Sequence, residues 1–226
     1  MNRIVAAIYD RAMAGVEQGG LSQWRRELLC GLDGRVLEVG AGTGANLDRY
    51  PPAVTELVLA EPDRHMRRRL AARAARLQRP GGVIAAAAEH LPYPDGHFDA
   101  VVSTLVLCSV EDPATAVSEL RRVLRPGGRL VVIEHVRAQP GSSRARWQRR
   151  LEPAWKHLAG NCHLTRDTAA TLAAAGFDLT PLVAESMRKA PPMVRPTIRG
   201  VVGSPHGARP ARPLDQAEPA PWHGVT

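Results

Sequence analysis

From Arg35 to Gly203, short apolar runs alternate with segments whose apolar residues recur at helical spacing. That alternation is the signature of strand–helix–strand units built around a parallel sheet. The predicted strands are Arg35–Val39, Glu56–Ala60, Val83–Ala87, Ala100–Leu105, Arg129–Glu134 and Phe177–Val183, with a weaker one near Thr197–Val202. The runs Val-Val-Ser-Thr-Leu-Val-Leu from Val101 and Leu-Val-Val-Ile from Leu130 are nearly continuous in apolar residues, as strands covered on both faces are. Helices are predicted between them. Asp63–Leu77 opens on Glu-Pro-Asp, and Pro113–Leu124 stops before Arg-Pro-Gly-Gly, which are start and stop signals respectively. Two more helices, about Ile4–Gln18 and Leu21–Cys30, precede the first strand as a cap. Ser142–His157 is an insertion after the fifth strand, and Thr165–Ala175 follows it. The expected architecture is α/β: a doubly wound, seven-stranded Rossmann-like sheet in one domain over 1–203, with the helical cap over 1–33. Residues 204–226 carry five prolines and little periodic apolar content. They are expected to form a disordered tail whose removal leaves ligand affinity unchanged.

The chain has 226 residues, enough for one domain with a sizeable core. Only 4% are aromatic, so aliphatic side chains and alanine must fill that core. No stretch approaches the roughly 18 apolar residues of a membrane span. The first ten residues lack the apolar run of a signal peptide, so a cytoplasmic location is expected. Cys30, Cys108 and Cys162 are far apart and odd in number, which is neither a disulfide framework nor a zinc pattern; reduced thiols are expected. The net charge of +8 is almost all arginine, with Lys156 and Lys189 the only lysines. A basic chain attracts nucleic acid or anionic membrane. Here the joint richness in Arg, Ala, Pro and Gly reads as compositional bias, and no nucleic-acid partner is expected.

The chemistry concentrates in Arg35-Val-Leu-Glu-Val-Gly-Ala-Gly-Thr-Gly-Ala-Asn46. A strand runs into Gly40, Gly42 and Gly44, and a helix is predicted to follow. Glycines permit a tight turn and close approach of a ligand to the backbone. Two ligands fit. Gly40-x-Gly42-x-x-Ala45 satisfies the dinucleotide pattern, with Glu61 at the spacing of a ribose-binding acid. Glu38, two residues before the first glycine, would repel a pyrophosphate and suits a ligand with an amino group, such as S-adenosylmethionine (SAM). Glu61 would then take the ribose hydroxyls. Glu89, in Ala88-Glu-His-Leu-Pro92 after the third strand, can reach an adenine amino group.

Together these runs resemble the class I SAM-dependent methyltransferases, over most of Ile4 to Val202. Val36 to Asn46, Ala88 to Pro92 and Leu124-Arg-Pro-Gly-Gly128 resemble the small-molecule enzymes that include ubiquinone/menaquinone C-methyltransferases. Thr104-Leu-Val-Leu-Cys-Ser-Val110, Glu134-His-Val136, Leu151-Glu-Pro-Ala-Trp-Lys-His157, Asn161-Cys-His-Leu-Thr-Arg166 and Pro196-x-Ile198-x-Gly200 are similar to the methyltransferase-like thiol S-methyltransferases. That group usually has Gly where this chain has Asn161, a residue that also tolerates left-handed backbone. Its animal members carry an apolar N-terminal anchor that this sequence lacks. The resemblance implies a SAM site of Glu38, Gly40, Gly42, Gly44, Asn46, Glu61, Ala88 and Glu89, with Met66, Thr104 and Leu105 beside it. Ala41, Thr43 and His90 fall in the same runs, and Pro62 follows Glu61.

On the acceptor side, Glu134 and His135 end the fifth strand, where α/β sheets bind ligands. Either can orient an acceptor or take its proton. Tyr9, Cys162, His163 and Arg166 are candidate contacts. Cys162 and His163 are adjacent and have no third ligand at metal spacing, so no metal is expected; they would shape a pocket wall. The expected activity is methyl transfer to a small molecule, first a thiol. The alternatives are O-, N- or C-methylation of a secondary metabolite, quinone or phospholipid head group. Further off stand a nicotinamide-dependent oxidoreductase and a SAM-binding protein without catalysis. The place after the fourth strand reads Ser103-Thr-Leu-Val, not the Asn/Asp-Pro-Pro-aromatic turn of enzymes that methylate base amino groups.

Overall fold

The structure, a computed structural model, describes residues 3–76 and 81–204. The predicted tail from residue 205 and the end of the predicted helix at Leu77 lie outside the described residues. Helix α1 (Arg3–Val16) and helix α2 (Ser22–Leu29) are joined by a wide turn, Glu17–Leu21, kinked at Gly20 with φ 132°. The sheet strands follow: β1 (Gly34–Val39), β2 (Val54–Ala60), β3 (Gly81–Ile84), β4 (Phe98–Thr104), β5 (Leu124–His135), β6 (Val183–Ser186) and β7 (Pro196–Gly203). Their order is β3-β2-β1-β4-β5-β7-β6. Strands β1 to β5 are parallel, whereas β7 runs antiparallel to both β5 and β6. The order reverses direction between β1 and β4, and the crevice at such a switch point is where open α/β sheets take ligands.

Helices α3 (Arg64–Ala74), α4 (Pro113–Val123), α5 (Ser143–Leu158) and α6 (Thr168–Ala174) complete the two faces. On one face Leu37, Val101, Leu130 and Val132 pack with Val117 and Leu120 of α4 and Leu172 of α6. On the other, Val36, Leu57, Ala100 and Val131 meet Leu29 of α2 and Leu70 of α3. Full burial of each such aliphatic is worth about 1.5–3 kcal/mol. The helix starts are fixed locally. Asp63, Asp112, Ser142 and Asp167 each accept backbone N–H groups of the first turn that follows, worth about 1 kcal/mol apiece.

Two predictions are corrected. The sixth strand is not Phe177–Val183 but Val183–Ser186. Asp178 accepts from the amide and hydroxyl of Thr180 at 3.0 and 2.7 Å, and Leu182 N–H bonds to Leu179 O. Those turns occupy residues that apolar content alone assigned to a strand. Second, no α-helix follows the glycine loop. The chain makes turns and a single 3₁₀ turn, Leu47–Arg49. Pro51-Pro52 comes next, and the residue before a proline is held out of the helical region, so there is no room for more.

Candidate active site

Strand β1 enters a loop in which Gly40, Gly42 and Gly44 sit at φ 55°, 58° and 87°, a region costly for other residues. A side chain at Gly40 would also meet the Val106 methyls at 2.5 Å, whereas one at Gly42 would meet only Gly40 O at 3.9 Å. Gly40 is therefore needed for packing against the chain leaving β4, and Gly42 leaves open space. The Gly42 N–H donates to Glu61 Oε2 at 2.8 Å, and Asp63 N–H donates to Glu61 Oε1 at 2.8 Å. Burial raises the Glu61 carboxyl above its ordinary value, with those two amides pulling the other way.

Glu38 projects from the same end of β1 and is buried. It accepts from Asn46 Nδ2 at 2.9 Å and from the Tyr50 hydroxyl at 2.7 Å. Desolvation pushes its carboxyl up to about 7, against the pull of Tyr50, Arg25 and Asn46. Arg25 of α2 is buried too. Its Nη1 donates to Asn46 Oδ1 and Thr104 Oγ1, both at 2.9 Å, and its Nε to Glu17 Oε1 at 3.0 Å. Glu38, Arg25 and Thr104 line a cavity of about 360 Å³ with Gly40, Ala41, Gly42 and Thr43. A buried acid and a buried cation on one wall complement a zwitterionic α-amino acid group such as the methionyl end of SAM.

Helix α1 closes the cavity with Tyr9, Asp10 and Met13. The Thr43 hydroxyl donates to Asp10, and Arg73 Nη1 donates to Thr43 O at 3.0 Å. Burial pushes the Tyr9 hydroxyl up to about 12.

The other predicted residues take different places, none of them in the wall of this cavity. Asn46 and Glu61 contact it through Glu38 and Gly42. Gly44, Met66 and Ala88 pack in the fold beside it, where a side chain at Gly44 would meet Leu47 and Leu70. Pro62 and His90 are exposed. Glu89 accepts Glu111 N–H at 2.7 Å. Leu105 follows β4 at φ 61° and packs with Val16 and Leu21 of the cap.

On the acceptor side, Glu134 is fully buried. Its Oε1 accepts from Ser103 Oγ at 2.8 Å and Val106 N–H at 3.0 Å, so it braces the chain leaving β4. His135 is also buried and places Nε2 2.9 Å from Cys162 Sγ. Trp155 N–H points at the same sulfur at 3.2 Å. Cys108 is the third member: its contact with the Cys162 thiol, together with burial, raises its own value, and the same contact lowers that of Cys162 against the effect of burial, with His135 lowering it further. His163 turns away, with Nδ1 2.8 Å from Glu152 Oε1. Arg166 donates to the carbonyls of Leu107 and Val110 and so clamps the loop that carries Cys108.

Two participants escaped the sequence. Arg25 had a signal: Leu21, Arg25 and Leu29 recur every four residues and are all buried, so the arginine lies on the apolar face of its helix. Cys108 had none, since only the fold brings it to Cys162, 54 positions on by their numbering.

Residues 37–132 match the family model described as a methyltransferase domain. The human thiol S-methyltransferase TMT1B is 44% identical over 154 residues, which are 66% of this chain and 63% of that protein. The chain thus spans under two thirds of TMT1B. The human thiol S-methyltransferase TMT1A is 36% identical over 198 residues, covering 85% of this chain and 80% of that protein. The demethylmenaquinone methyltransferase of Renibacterium salmoninarum is 34% identical over 58% of this chain and 55% of that protein. Among solved structures, the N-methyltransferase NodS of Bradyrhizobium japonicum, in complex with S-adenosyl-L-homocysteine, superposes with TM-score 0.63 at 18% identity, over 84% of this chain and 88% of that one. That likeness shows the fold. A sheet of this order, a glycine loop flanked by Glu38 and Glu61, and identity running through most of TMT1A make this chain a member of the class I SAM-dependent methyltransferase family.

Proposed function

We propose that the acceptor is a small thiol, methylated at sulfur. The observation that carries this reading is the similarity to TMT1A across 85% of the chain. The site agrees with it. Of the two candidate bases, Glu134 spends a carboxylate oxygen on Ser103 and Val106, and His135 turns its Nε2 to a sulfur. Neither faces the cavity. An acceptor that ionises without a strong base fits this arrangement, and a thiol has a reference pKa of about 8.5.

In this reading Glu38 takes the ammonium group of the cofactor and Arg25 its carboxylate. Glu61 exchanges its Gly42 amide for ribose hydroxyls, and Tyr9, Asp10 and Met13 of α1 exclude water over the bound molecule. SAM supplies, when bound, an electrophilic methyl group on a sulfonium. The protein's share is to align the acceptor sulfur opposite the leaving sulfur, and such positioning can provide most of the rate of an in-line displacement. Incubation with SAM and a panel of thiols, phenols, amines and quinols, read by mass spectrometry, tests the assignment. The expected result is a gain of one methyl group (~14 Da) on thiols and none on the rest. A quinol methylated at carbon, with thiols untouched, would move this chain toward the chemistry named for its demethylmenaquinone relatives.

A further inference from the structure

Cys108, His135 and Cys162 come from the loop after β4, the end of β5 and the turn after α5. Their Sγ, Nε2 and Sγ atoms all lie within 4.8 Å of one another. Two ligands on one tetrahedral zinc stand about 3.5–3.8 Å apart, for Zn–S of about 2.3 Å and Zn–N of about 2.0 Å. The group is thus close to the size of a zinc site before any ion enters, needing the His135–Cys162 contact of 2.9 Å to open by well under an ångström.

The frame around it is built from both sides. The amide of His163 donates to Cys108 O at 2.8 Å, and Asn161 Nδ2 donates to Ser109 O at 2.9 Å, stitching the two cysteine loops together. Asn161 holds φ 66° there. Arg166 clamps the carbonyls on either side of Cys108. Trp155 N–H reaches the Cys162 sulfur, the outer contact that orients a thiolate ligand. The Nδ1 of His135 is buried without a partner among the described residues. The tautomer protonated there leaves the Nε2 lone pair for a metal. A disulfide between Cys108 and Cys162 would use two of the three groups and leave the imidazole with nothing.

We propose that Cys108, His135 and Cys162 bind zinc with one coordination position left open toward the cofactor cavity, where an acceptor thiol is held as its thiolate. Three protein ligands and an open fourth position mark catalytic rather than structural zinc, and among the described residues no fourth His, Cys or carboxylate joins the group. The chain leaving β4 links the two sites: Thr104 lines the cavity and Cys108 follows it four residues on. Binding of Zn²⁺ displaces the two cysteine protons to solvent. An incoming RSH gives up its proton to water, and its sulfur occupies the open position. That sulfur then uses a lone pair to form the new S–CH₃ bond while the sulfonium C–S bond breaks, its electron pair staying on the departing thioether. The second half rests on the thiol reading; the metal site does not.

The test is zinc content of the full chain, purified without chelator or histidine tag and dialysed, with cobalt substitution as the spectroscopic readout. One zinc per chain is expected, together with the intense visible bands of tetrahedral cobalt–thiolate, shifted when a small thiol is added. C108S and C162S should each lose at least tenfold in bound zinc, with H135Q close behind, while H163Q, outside the cluster, keeps it. Retained SAM binding by the variants shows that they are folded. Metal-free protein from zinc-supplemented cells, with no cobalt spectrum and Cys108 and Cys162 recovered as free thiols or as a disulfide, would overturn the site. Thiol methylation by that metal-free protein would leave the function standing and remove the zinc. A metal-loaded protein whose cobalt spectrum ignores thiols would remove the thiolate role.

Discussion

Glu38 carries a sign that can be measured. Its ordinary value of 4.5 rises to about 7 in the folded protein. Between those values the folded state holds a proton that the unfolded chain has released, so cofactor-free stability falls as pH rises through that window. A bound ammonium group favours the carboxylate, so SAM affinity should rise over the same window with proton release. Calorimetry in two buffers of different ionisation enthalpy should show that release at pH ~6; an enthalpy independent of buffer there would refute it. Glu38→Gln should raise the melting temperature of the free protein above pH ~7 and weaken SAM by about 10–100-fold, the worth of a charged hydrogen bond. Gly40→Ala adds both a left-handed alanine and a clash with Val106. We expect a loss of about 2–4 kcal/mol, read by denaturant unfolding; a neutral result would mean that the β4 loop moves freely. At this scale the sequence was legible where chemistry is local, as for Glu38, Gly40 and Gly42, which line the cavity. The Cys108–His135–Cys162 group was illegible because its members lie in three separate segments. His163, read with Cys162 as part of a pocket wall, turns to Glu152 instead.

Among the elements, strands with near-continuous apolar runs were legible to within a few residues, because burial on both faces leaves little choice of residue type. Strand β6 was not. It is a short strand at the sheet edge whose Val183 is half exposed, so it carries no strong apolar pattern. The helix expected after the glycine loop failed on Pro51-Pro52. The cap helices were read as helices, but their role lies in Arg25, the cation that ties α2 to Asn46 and Thr104. Arg25→Met keeps the stem's packing and removes the charge. It strips Glu38 of a cation nearby and Glu17 of one of its ion-pair partners, leaving Arg49. Loss of about 3 kcal/mol is expected, or roughly 6–12 °C in melting temperature for a chain of this size, with SAM affinity falling as well. An Arg25→Met protein that binds SAM normally would contradict the assignment of Arg25 to the carboxylate.

Among the described residues one seven-stranded sheet carries the site: Tyr9 of α1, Arg25 of α2 and Thr104 at the end of β4 line the same cavity as the glycine loop. No helix among the described residues is long and apolar enough to cross a membrane. The fold runs to Ser204, which is buried and donates its amide to Gly128 O at 2.7 Å. Truncation after Ser204 should therefore leave SAM affinity within twofold in calorimetry, and a large loss would give the last residues a place in the site. Fold class was legible at this scale because a periodic pattern specifies it, and the cofactor because the glycine loop and the runs after β3 and before β5 together carry one resemblance. The acceptor was not, since its site is assembled from loops that follow no periodic pattern. The most direct test of the central claim offers one molecule with two nucleophiles, 4-mercaptophenol, together with SAM, and asks by mass spectrometry and proton NMR which atom carries the new methyl group. Methylation at sulfur is the predicted result; methylation at oxygen or on the ring, with the thiol left free, would contradict it.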